Sequence, residues 1–164
     1  MISGSFPISI IKPTAILAPA YWLPPGLWMA LILWLSGSTF SAEQTGALLA
    51  PVLHRLLPWA SDLLVDLVHG GLRKLAHLTV YAVLAFLWYR AFTGGRGLPP
   101  RAAAPLAFVI AVAWAGVDEG HQAITPSRSG SLVDVGVDSA GAAVAVALAG
   151  GRRSRPTRTS EPSD

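Results

Sequence analysis

Between Lys12 and Glu43 the chain carries no charged residue, and within that interval Ala18 to Leu35, "APAYWLPPGLWMALILWL", is apolar almost throughout. Roughly 20 such residues at about 1.5 Å each match the thickness of a bilayer core, where a helix satisfies its own backbone polar groups. The run is predicted as a first membrane span. Pro24 and Pro25 belong near its start or at a kink, since neither supplies an amide donor. Segments 72–92, 102–122 and 132–150 reach similar length, each only by including ionisable residues. The expected fold class is all-α: a polytopic membrane protein with four transmembrane helices.

Composition points the same way. The 164 residues are 52% hydrophobic and only 13% charged, with a positive mean hydropathy of +0.52, unlike an ordinary soluble domain. A net charge of +3 raises the question of nucleic acid, but the basic residues lie in connections and a tail rather than along a helix face, so no nucleic-acid partner is expected. There is no cysteine, which removes disulfides and thiolate metal ligands, and no asparagine, which removes N-glycosylation. A cleaved signal peptide ending near "APA" is disfavoured because Lys12 and Pro13 interrupt the apolar region before it.

Between the first two spans, Ser36 to Gly71 places Leu49, Val52, Leu53, Leu56, Leu57 and then Leu63, Leu64, Leu67, Val68 at intervals of three and four. That periodicity predicts an extracytoplasmic amphipathic helical loop, a hairpin broken at Pro58. The chain then divides into an N-terminal segment 1–17, a membrane domain 18–150 and a basic, disordered tail 151–164. Arg90, Arg96 and Arg101 occupy the connection between spans two and three, and Arg152, Arg153, Arg155 and Arg158 the tail. By the positive-inside tendency both are cytoplasmic, as are both termini of a multi-pass protein of the plasma membrane.

This topology gathers the ionisable residues at one end. Lys74 and His77 open span two, Asp118, Glu119, His121 and Gln122 close span three, Arg128 lies in the short loop, and Asp134 and Asp138 open span four. Lys74, His77 and Tyr81 share one helix face. His77 and Asp138 are each expected about one turn deep. Lys74 at a helix start and Asp118 with Glu119 at a helix end oppose their helix dipoles, and so are expected to pair. A salt-bridge network of these residues with Arg128 and Asp134 is the structural alternative. Ser131 and Asp134 read as a capping box. An intramembrane charge cluster is a functional indicator by default.

The motifs "RKLAHLTVY", "DEGHQAITPSR" and "SLVDVGVDSAG" resemble, in order and spacing, those of the VanZ-like membrane proteins: a lysine and histidine opening one span, D-E-x-x-Q closing the next, P-x-R in a loop, then an aspartate and a glycine. Arg73 stands where that family usually has aspartate, and Asp138 where many members have asparagine. The resemblance implies a cell-envelope protein and, through the family's namesake, an association with glycopeptide antibiotic resistance. The charged pocket comprises Lys74, His77, Tyr81, Asp118, Glu119, Gln122, Arg128, Asp134 and Asp138. It is expected to recognise an envelope lipid or amphiphilic small molecule. In the alternative, an enzyme acting on a lipid headgroup, His77 or His121 is the base and Asp118, Glu119 and Asp138 orient it. A purely structural helix bundle is the third reading. No cofactor is expected. Metal is not expected either, since H-E-x-x-H is absent and the ligands would have to come from three helices. G-x-S-x-G and P-loop patterns are also absent.

Overall fold

The computed structural model describes residues 18–153, so the N-terminal segment and the tail arginines beyond Arg153 lie outside the described residues. Every regular element among the described residues is helical. Helix α1 (Pro19–Leu35) leads through a short 3₁₀ turn (Ser38–Phe40) to α2 (Ala42–Leu56). After a break, α3 (Asp62–Arg90) ends in a π turn (Ala91–Gly95), followed by α4 (Pro100–Ile124) and α5 (Leu132–Arg153). The last three helices are long and apolar enough to cross a membrane. A fourth span is obtained if α1 and the helical segment Ser38–Leu56, bent by 75°, count as one. The protein is thus an all-α polytopic membrane protein.

Local chemistry sets the boundaries. Pro19 occupies the first turn of α1, where its missing amide costs nothing. The helix runs on through Pro24 and Pro25, and the carbonyl of Ala20, which Pro24 leaves without its usual partner, accepts a 3.5 Å hydrogen bond from Arg90. The same guanidinium lies 5.4 Å from the Tyr21 ring centre, tying α1 to the end of α3. Ser41 caps α2 by accepting from the Gln44 amide, and Ser61 caps α3 by accepting from the Leu64 amide. The hairpin breaks around Pro58 as expected. Its second limb is not a separate interfacial helix, however, because 62–71 continues into the span. Gly70 and Gly71 are the obvious weak points, and glycine costs a helix only about 1 kcal/mol each. The 29-residue helix that results is about 44 Å long.

Small residues decide how the spans approach. Ala103, Ala107, Ala111 and Ala115 recur every four residues on α4 and are fully buried. With Ala142 of α5 and Leu84 and Ala85 of α3 they form the seam of the bundle. At Gly141 a Cβ would collide with the Leu78 carbonyl, so α5 crosses α3 in backbone contact there. The Gly141, Ala145, Ala149 face therefore serves packing within this chain. Several tryptophans join the helices to one another. Trp22, Trp88 and Phe92 pack with ring centres 5.6–6.2 Å apart, and the Trp28 indole donates to the Val80 carbonyl at 2.9 Å.

Candidate functional site

The four-residue alanine seam of α4 ends in polar groups: Asp118, Glu119 and Gln122 follow Ala115 on the same buried side. Their neighbours come from α3 and α5, and the site's geometry follows from which group each reaches. Tyr81, almost fully buried, donates its hydroxyl to Asp118 Oδ2 at 3.1 Å. His77 Nδ1 is hydrogen-bonded to Asp138 Oδ1 at 3.2 Å, and Asp138 has no exposed surface at all. Glu119 Oε2 accepts from the Ser131 amide at 2.6 Å. His77, Asp118, Glu119 and Asp138 each present one ligand-type atom within 4.8 Å of the others. Convergence from three helices, expected from the spacing, is therefore found.

Three expectations are corrected. Lys74 does not pair with Asp118 and Glu119; it reaches Asp134 at 3.1 Å, in a largely exposed ion pair. The reason is axial: Lys74 lies about one turn before His77 on the same face of α3, level with Asp134, which lies one turn before Asp138 on α5, whereas Asp118 meets Tyr81 one turn further along. The capping box is also rearranged. Ser131 Oγ accepts from the Asp134 amide at 3.4 Å, but the Ser131 amide is satisfied by Glu119 rather than by Asp134, whose carboxylate is held by Lys74. Gly130 permits this, since a Cβ there would lie 2.5 Å from the Glu119 carbonyl. Finally, His77 lies about four turns inside α3, because that helix begins at Asp62 and not near Leu72.

Two candidate residues act elsewhere. His121 is hydrogen-bonded through Nδ1 to Ser36 Oγ at 3.0 Å, away from the carboxylates, which removes it as their partner base. Arg128 joins no acid among the described residues. It donates to the carbonyls of Leu35 (2.6 Å) and Gly37 (3.0 and 3.2 Å) and to Gln122 Oε1 (3.4 Å). It thereby closes the C-terminal end of α1, where a cation suits the helix dipole. Burial first, then Arg73, lowers the pKa of its guanidinium below the ordinary value, although an arginine still keeps its charge.

Beside the cluster opens a cavity of about 290 Å³. Ile32, Leu35, Leu49, Leu72 and Val80 give it apolar walls, while Arg73, His77, Asp118, Gln122 and Arg128 supply its polar side. Arg73 is the functional candidate that the pocket set from the sequence leaves out. Its Nη1 donates to the Phe40 carbonyl at 3.2 Å and to Thr45 Oγ1 at 3.3 Å, and Thr45 in turn contacts His69 Nε2 at 3.1 Å. A signal was available: His69, Arg73, His77 and Tyr81 follow one another at intervals of four, a single stripe along α3, and all four line the cavity.

The sequence model of the VanZ/LLP1 family matches residues 21–151, a region that holds all three motifs and every residue of the cavity and the cluster. Neither curated proteins nor solved structures return a match. With most of its length covered, and with the motif residues meeting in one place, this chain belongs to the VanZ/LLP1 family.

Proposed function

We propose that this protein recognises an anionic amphiphile of the cell envelope in the cavity between α1, α2, α3 and the end of α4. The observation that carries the reading is the cavity's two-sidedness: apolar walls of lipid-like character meet Arg73 and Arg128 at one side. Such a space accepts an alkyl or prenyl chain together with a phosphate or carboxylate, for which guanidinium groups are suited donors. Native mass spectrometry of gently extracted protein is expected to retain an anionic lipid. Ala76 lines the cavity without making any of its polar contacts, so Ala76→Trp is expected to abolish retention while leaving the fold intact. Ala147→Trp, on an exposed face of α5, is expected to retain the lipid. Retention that is equal in Ala76→Trp and the unaltered protein refutes the reading. In cells, tolerance to glycopeptide antibiotics is the phenotype expected to fall with Ala76→Trp.

A membrane enzyme acting on a lipid headgroup is the second reading, favoured by His77, which lines the cavity while Asp138 holds its Nδ1. Loss of one proton-transfer group typically costs 10²- to 10⁴-fold in rate, so His77→Gln distinguishes the readings. Recognition alone predicts the same retained lipid in His77→Gln; an enzyme predicts a change from product to substrate.

We also propose that the cavity faces the extracytoplasmic side. Support comes from Arg90, Arg96 and Arg101, which cluster without an acid in the connection from α3 to α4. A cysteine at exposed Ser129 is expected to react with membrane-impermeant thiol reagents in intact cells, and one at exposed Pro99 to resist them. The cysteine-free chain gives no background. The reverse labelling pattern inverts the topology.

A further inference from the structure

The three carboxylates of the cluster share an unusual hydrogen-bond state. Each engages one oxygen with the scaffold: Asp118 Oδ2 with the Tyr81 hydroxyl, Glu119 Oε2 with the Ser131 amide, Asp138 Oδ1 with His77. The second oxygen of each, Asp118 Oδ1, Glu119 Oε1 and Asp138 Oδ2, is buried with no hydrogen-bond partner among the described residues. All three side chains belong to residues at most 6% exposed. Buried polar atoms are normally paired, so three unpaired acceptors in one place call for a common partner. Lys74, Arg73 and Arg128, basic residues of the same region, are engaged with Asp134, with the Phe40 carbonyl and Thr45, and with the carbonyls at the end of α1.

We propose that His77, Asp118, Glu119 and Asp138 form a binding site for one divalent cation of the first transition row. The span of 4.8 Å across their ligand atoms suits an ion held at about 2.0–2.6 Å from each donor. Three carboxylates and one imidazole make a mixed hard-oxygen and nitrogen set, which favours manganese, iron or zinc over calcium, whose ligands are oxygens alone. The hydrogen bonds from Tyr81 and Ser131 do what outer-shell partners of a metal site do: they fix each carboxylate's rotation and leave one oxygen directed inward. The site is anchored on three rigid helices crossing at Gly141 and the alanine seam, so the donors stand already assembled. This inference is independent of the amphiphile reading.

The test uses the full chain, purified in detergent, treated with chelator and titrated with Mn²⁺ followed by electron paramagnetic resonance. One equivalent is expected to bind, with Zn²⁺ competing for it, and a spin-echo measurement is expected to show nitrogen modulation from an imidazole. Asp118→Asn is expected to weaken binding at least about tenfold, the scale seen when metal-site shells are altered. His77→Gln is expected to lose the nitrogen modulation. The unaltered protein is further expected to melt higher with Mn²⁺ than with chelator, which needs no variant to fold. Absence of uptake by the unaltered protein, or unchanged affinity in a folded Asp118→Asn variant, overturns the proposal. So does a protonated-carboxyl infrared band that persists in excess Mn²⁺ and vanishes in Asp138→Asn, since the cluster is then neutralised by protons alone.

Discussion

Replacing His77 by leucine is expected to destabilise the bundle by about 1–3 kcal/mol or more, the usual consequence of leaving a buried hydrogen-bonding group without its partner. Asp138 has no exposed surface, and Oδ1 of its carboxylate depends on His77 Nδ1. Without the ring, both carboxylate oxygens are left without a partner among the described residues. The double variant His77→Leu with Asp138→Leu is expected to recover most of the loss, because two apolar side chains of similar volume replace the pair and remove the desolvation penalty. The exposed pair of Lys74 with Asp134 sets the contrast: breaking it is expected to change stability by about 0–1 kcal/mol. Thermal unfolding in detergent, followed by circular dichroism or by retention of the monomer peak, reads all of these. A double variant as unstable as the single one shows that the pair is not the reason for the loss.

Gly141→Val is expected to destabilise by at least about 1–3 kcal/mol, the range for added volume in a packed interior, and to disturb the site as well. A Cβ at this position meets the Leu78 carbonyl and the backbone around it, which belong to a continuous helix and cannot rotate aside. The two helices must therefore separate. Leu78 follows His77 directly, and Asp138 lies one turn before Gly141, so separation at the crossing pulls apart the pair just above it. Gly141→Ala is expected to show the same effect in weaker form. Gly136→Ala, on the same helix with open space around it, is expected to be neutral or slightly stabilising, as alanine is the better helix former. A Gly141→Val protein that melts with the unaltered one contradicts the close crossing.

The helices and the last three spans were largely legible from the sequence because their causes are local. Apolar length, proline and glycine positions and serine caps act within a turn or two, and the family motifs identify which three spans carry the polar residues. The extension of α3 back to Asp62 was less legible. Gly70 and Gly71 read as a boundary, but with helical turns on both sides and no cap, two glycines are too weak to stop a helix.

The pairing of side chains was a different matter. Lys74, Asp118 and Glu119 each oppose their helix dipoles and each has a counterpart, but not the one that the dipoles alone suggest. Lys74 meets Asp134, Glu119 meets the Ser131 amide, and Asp118 meets Tyr81. Arg73 and Lys74 show why: one residue apart, they differ by about 100° around the helix, so that Arg73 lines the cavity while Lys74 points to exposed surface. The sequence by itself determined the helices, the membrane character, the family and the end of the bundle where charge collects. Only the tertiary structure decided which oxygen faces which donor, because the rotation of each helix about its axis is fixed by contacts between helices, Gly141 on Leu78 and the alanine seam of α4, that no local pattern encodes.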